Sequence, residues 1–225
     1  MPTLRDVLYQ LQFITHELAV LGLFVTAGLI ALVRDWRVSL LALLGQYVVA
    51  GYILSRLVLP ELALIKILIG ALICPMLYLA ARQSGWNLLS SQRATARSIR
   101  AGHRDSTGNY VFHVNLAFRI LAATLVLMLA VVLNQAYPLP TIPPDVGLGC
   151  YWLILIGLLI LMLTEEPLKG GLGLLTLLTG FDLLYAPLEQ SLVVAWLWAV
   201  VNLLLALAIA FLAVAKGVGT VEEDL

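Results

Sequence analysis

The stretch Gly170–Ala215 constrains this chain more than any other. Two apolar runs, Gly170–Tyr185 and Leu192–Ala215, are parted by Ala186-Pro187-Leu188-Glu189-Gln190, and a carboxylate, Asp182, stands inside the first. As helices rising about 1.5 Å per residue, such runs approach or cross a hydrocarbon layer about 30 Å thick. A carboxylate facing lipid there costs about 3 kcal/mol or more. Asp182 must therefore face protein, water or a partner. Asn202, in the second run, is under the same constraint in weaker form.

The rest of the chain is of the same kind. Of its 225 residues 62% are hydrophobic and 12% charged, and the mean hydropathy is +1.01. Soluble domains carry about 25% charged residues, so the sequence reads as an all-α integral membrane protein. Seven apolar runs lie near 14–33, 38–58, 62–81, 114–133, 148–164, 170–187 and 191–215. None alternates like a barrel strand, and a helix satisfies its backbone within the segment, so each is expected to be a transmembrane helix. Leu4, Val7, Leu8, Leu11 and Ile14 extend the first run backwards at helical spacing, as an interfacial lead-in or as its opening turns. The N-terminus lacks the basic region and cleavage site of a signal peptide, so the first span is expected to stay.

Basic residues set the expected orientation. With the N-terminus outside, Arg34, Arg37, Arg82, Arg93, Arg97, Arg100, Arg104, Arg119, Lys169 and Lys216 fall on the cytoplasmic side, leaving only Arg5, Arg56 and Lys66. The expectation is N-out and C-in, in the inner (cytoplasmic) membrane. In the polar loop 83–113, Arg93, Arg97, Arg100 and Arg104 recur at steps of 4, 3 and 4. They are read as a positive-inside loop, or as one face of a surface helix on anionic lipid or a partner. No motif points to nucleic acid. Pro138, Pro140, Pro143 and Pro144 make Asn134–Gly149 a stiff outer linker that cannot be helical throughout.

The chain divides into a first three-helix unit, 1–82, the basic loop, a linking helix with its Pro-rich linker, 114–147, and a second three-helix unit, 148–225. The units read as a parallel repeat. Arg34–Tyr47 lies without a gap on Lys169–Asp182, placing Gly45 on Gly180 and Tyr47 on Asp182; after a one-residue shift Lys66 meets Asn202. The expected relation is a rotation about an axis near the membrane normal, with the fourth helix as joiner.

A three-helix unit with a charged turn after its first helix and Gly-x-acid in its second resembles a known family. That family comprises the small K (4L-type) membrane subunit of respiratory complex I and the related C subunit of Mrp-type cation/proton antiporters. Gly180-Phe181-Asp182 matches the Gly-Leu-Glu of the family's second helix with Asp for Glu, and Gly45-Gln46-Tyr47 matches it without the acid. Where the family's third helix carries a Glu four residues before a Gly, this chain has Lys66 before Gly70 and Asn202 before Ala206. Three of the four carboxylates are thus missing. The resemblance implies a subunit working beside larger antiporter-like membrane subunits.

Individual residues sharpen these expectations. Asp182, with Tyr185 and Glu189 following at helical steps, is read as a protonatable site on an ion path or as a polar anchor between helices. For Lys66 the favoured reading is snorkelling from the outer end of its helix, the alternative an ion pair with Asp182. Asn202 is expected to hydrogen-bond between helices. Glu165 and Glu166, ahead of Pro167, are read as a helix N-terminal cap, with proton uptake from the cytoplasm as the lesser reading. Pro75 is expected to kink the third helix.

No phosphate loop, metal-ligand spacing or nucleophile constellation appears, so no cofactor or self-contained enzymatic activity is expected. The leading expectation is a membrane subunit of a complex I-like or Mrp-like cation/proton-translocating assembly. Its ion-path candidates are Asp182, Lys66, Asn202, Glu165 and Glu166. A stand-alone small transporter and a structural membrane protein are the alternatives.

Overall fold

Proline and short polar turns divide the chain where helices must begin. A computed structural model describes residues 16–33, 35–58, 60–83, 116–139, 142–164, 166–189 and 191–222. Those residues form seven helices: α1 (His16–Leu32), α2 (Trp36–Leu57), α3 (Pro60–Gln83), α4 (Leu116–Ala136), α5 (Pro144–Leu163), α6 (Pro167–Tyr185) and α7 (Leu192–Glu222). Three of them open on proline, whose missing N–H is no loss in a first turn and whose fixed φ suits a helix. Pro144 therefore starts a helix where the linker was expected to run on. The Pro-rich connection is shorter than expected, and the boundary placed after residue 147 falls inside α5. Pro75 lies within α3, which continues through it.

Five segments, in α2, α3, α4, α5 and α7, are long and apolar enough to cross a membrane. They make this an all-α chain of multi-pass membrane character. The apolar part of α1, Leu18–Leu32, is shorter. α6 is less apolar for a physical reason. It is an inner helix, packed on α5 and α7 and touching α2 and α1, and ten of its nineteen residues are buried, Lys169, Thr176 and Thr179 among them. Its polar side chains face protein rather than lipid.

Small residues bring α6 close to α5. A Cβ on Gly157 would stand 2.6 Å from the Leu177 backbone nitrogen, and one on Gly180 2.7 Å from the Leu153 Cβ. Bare glycines here let the two backbones nearly touch. At the other edge α4 packs chiefly on α5 and α1, and most of its apolar surface is exposed.

The two triplets meet in the same order. Within each, the outer helices flank the middle one, and across the interface α1 packs on α5, α2 on α6 and α3 on α7. Under a twofold rotation about the normal a helix meets its own image only at the axis, and three helices cannot all stand there. The two triplets are therefore not related by a twofold about the normal.

Two buried apolar clusters fill the interior. One gathers Leu23, Ala50, Ile53, Leu62, Val146, Leu153 and Leu183. The other gathers Ile30, Leu43, Ile73, Leu77, Leu168, Leu172 and Leu175. The first lies toward the end of the bundle that carries Asp182, the second toward the end that carries Lys169.

Candidate functional site

The candidate site lies where α3, α6 and α7 converge. Lys66, one turn and a half into α3, reaches across to Asp182, near the close of α6, and its Nζ donates to Oδ2 at 2.5 Å. The side chains are 6% and 16% exposed, so the pair is largely withdrawn from solvent and the carboxylate is its more open member. Lys66 does not snorkel. An ammonium held by a carboxylate is cheaper inside a bundle than either charge alone.

A cleft opens beside the pair, lined in part by Lys66, Asp182, Tyr185, Glu189, Trp198 and Asn202. The cleft is partly open, and its space of about 30 Å³ has room for one or two waters or a small ion. Tyr185 and Glu189 follow Asp182 along one face and reach the same cleft. Phe181 stacks on Tyr185 and meets Trp198 edge-on, bracing the α6–α7 wall.

Asn202 departs from expectation. Its Nδ2 donates to the Trp198 carbonyl, one turn earlier on its own helix, at 2.9 Å, so it does not bridge helices. Its buried Oδ1 is left without a partner, as is the Trp198 indole N–H. Both residues line the cleft, so the site presents one unmatched acceptor and one unmatched donor besides the ion pair.

Behind the pair lies a polar seam that sequence reading did not single out. The Lys66 ammonium stands 5.2 Å from the centre of the Tyr47 ring, close enough for a cation–π contact. The fully buried Tyr47 brings its hydroxyl toward that of Thr179 without completing a hydrogen bond. One turn further along α6, Thr176 Oγ1 donates to the Leu172 carbonyl at 2.8 Å and lies 3.4 Å from Gln46 Oε1. Gln46 Nε2 has no partner. The signal was present in the sequence: Thr176, Thr179 and Asp182 recur every third residue along a leucine-rich helix.

The remaining candidates lie apart. Glu166 holds the N-cap position of α6 with extended backbone, and its carbonyl accepts from the Gly170 N–H at 2.8 Å. Its side chain makes no capping hydrogen bond, and Pro167, which has no N–H to satisfy, opens the helix. At this far end Lys169 donates to the Val33 carbonyl at 2.7 Å, tying the start of α6 to the end of α1. Glu165, Arg93, Arg97, Arg100 and Arg104 lie outside the described residues. Among the described residues no three His, Cys, Asp or Glu side chains could hold a metal ion.

No family model matches the chain, and no curated protein or solved structure does either. The resemblance to the K-type and C-type subunits rests on the residues quoted for it.

Proposed function

We propose that this chain is a non-enzymatic, multi-pass subunit of a cation- or proton-translocating assembly of the inner (cytoplasmic) membrane. It would work beside larger antiporter-like subunits in a complex I-like or Mrp-like arrangement. The observation that carries this reading is the Lys66–Asp182 pair beside a small polar cleft. A carboxylate matched to an ammonium inside a bundle is a charge that one proton can cancel. Protonating Asp182 releases Lys66, and a cation arriving at the carboxylate competes with the same ammonium. Either event changes the contact between α3 and α6.

The second reading is a polar anchor, favoured by one specific observation: the pair directly joins the two three-helix units. The two readings part at Asp182. Asp182→Asn retains shape and hydrogen bonding but does not titrate, whereas Asp182→Leu removes both. A carrier predicts that each variant abolishes ion-coupled transport while the assembly still forms. An anchor predicts that Asn is tolerated and Leu impairs assembly. Full transport by Asp182→Asn, measured in vesicles alongside assembly, would end the carrier reading.

A further inference from the structure

The cleft beside the ion pair has a floor, and three helices reach it at one level. On α3 its lining ends at Ile69, on α6 at Asp182 and on α7 at Asn202. One turn further into the bundle stand Ile73, Thr179 and Ala206, each fully buried. Ile73 and Ala206 belong to the apolar cluster that fills the Lys169 end. From this floor the lining runs the other way, through Ile65 on α3, Tyr185 and Glu189 at and beyond the close of α6, and Val194 on α7. Helices α3 and α7 begin at this end and α6 closes there, and Glu189 is exposed. The cleft therefore opens toward one end of the bundle and is shut toward the other.

Its charge is equally lopsided. Of the side chains that line it, Lys66, Asp182 and Glu189 are the charged ones. Lys66 and Asp182 cancel in their ion pair, which leaves Glu189 as the surplus negative charge, at the mouth. Among the described residues no cation pairs with it. A charge at the entrance of a cleft with low-dielectric walls focuses its field inward and raises the local concentration of counter-ions. An anion is repelled at that mouth. A cation is drawn past it toward Asp182, whose carboxylate is the more open member of the pair.

We propose that this cleft is a cation-selective vestibule with a single entrance, at the end of the bundle where α6 closes, and that Glu189 draws a small monovalent cation, hydronium included, inward to Asp182. This deepens the function proposed above, naming the charge of what reaches Asp182 and the end from which it comes. The vestibule itself stands whether or not Asp182 carries the ion.

Silver ions in nitrate buffer test both parts on the full chain in detergent, where each end of the bundle meets water. Ag⁺ is a monovalent cation small enough for the cleft, and it binds a thiol with release of the thiol proton. In a Cys74→Ala/Cys150→Ala background, Ala199→Cys probes the cleft wall and Ala206→Cys the floor beneath it, each a small change. Thiols left free are counted with a maleimide after unfolding. Ala199→Cys should react on the order of tenfold faster than Ala206→Cys. Equal rates, fast or slow, would overturn the one-ended cleft. At Ala199→Cys, Ag⁺ is then compared with the anion Ag(CN)₂⁻. The ratio of their rates should fall about fivefold or more when Glu189→Gln is added; the sizes of the two probes do not change between the proteins, so the fall reports charge. A ratio unmoved by Glu189→Gln would overturn the role of Glu189. Full transport by Asp182→Asn, with that ratio still dependent on Glu189, would refute the function proposed above and leave the vestibule in place.

Discussion

A lysine and an aspartate withdrawn from water together are tolerated where either alone is not, and this asymmetry makes the pair at α3 and α6 testable residue by residue. Lys66→Met strands the Asp182 carboxylate in a largely dry site, and breaking a buried pair from one side costs about 3–5 kcal/mol. Replacing both partners, Lys66→Met with Asp182→Leu, leaves no uncompensated charge and should recover most of that loss. Thermal denaturation in detergent should order the variants wild type, double, single. A double variant as unstable as the sum of the two singles would show that the side chains do not stabilise one another. At this scale the sequence was only partly legible. Asp182 announced itself as a charge in an apolar run, and its pairing with Lys66 stood only as the alternative to snorkelling, because the two lie 116 positions apart and no local pattern chooses between the readings. Asn202 was read as an interhelical bridge because polar residues in such helices often are. The Trp198 carbonyl, one turn back on the same helix, claimed its amide instead.

Helices are the scale at which sequence was most informative. Apolar length located all seven, with ends displaced by a few residues, and Pro167 marked the start of α6, whereas Pro144 was legible only as linker and opens α5. What periodicity could not convey is which faces meet. The glycines supply that information only once the neighbours are known. Gly157 stands against the α6 backbone, where a Cβ would meet the Leu177 nitrogen at 2.6 Å and the Gly173 oxygen at 2.7 Å. Backbone cannot turn aside as a side chain can, so Gly157→Ala forces α5 and α6 apart. The expected cost is about 1–3 kcal/mol, which exceeds the roughly 1 kcal/mol gained by removing glycine from a helix interior. Gly28 in α1 has open space around its Cβ position, and Gly28→Ala should be neutral or mildly stabilising. Paired melting curves check the contrast, and equal effects of the two substitutions would contradict the close approach of α5 to α6.

For the whole molecule, the distribution of basic residues predicts that the loop containing Ser98 and the linker containing Thr141 face opposite sides of the membrane. Single cysteines at those positions, in a background without Cys74 and Cys150, should react with impermeant reagents from opposite sides. Ser98→Cys labelled from outside in intact cells would reverse the orientation. The layered order of the two triplets was not legible from sequence, because the alignment of Arg34–Tyr47 on Lys169–Asp182 states which residues correspond and not how the units are disposed. That order matters mechanically through α6. One lysine secures each end of this helix: Lys66 of α3 grips Asp182 at its close, and its own Lys169 grips the Val33 carbonyl, just past the end of α1, at its start. A rod pinned at both ends cannot slide along its length without breaking a pin. Cancelling the charge on Asp182 would withdraw one pin and leave the other, so that, of these ties, the cleft end of α6 would keep only its packing on α5.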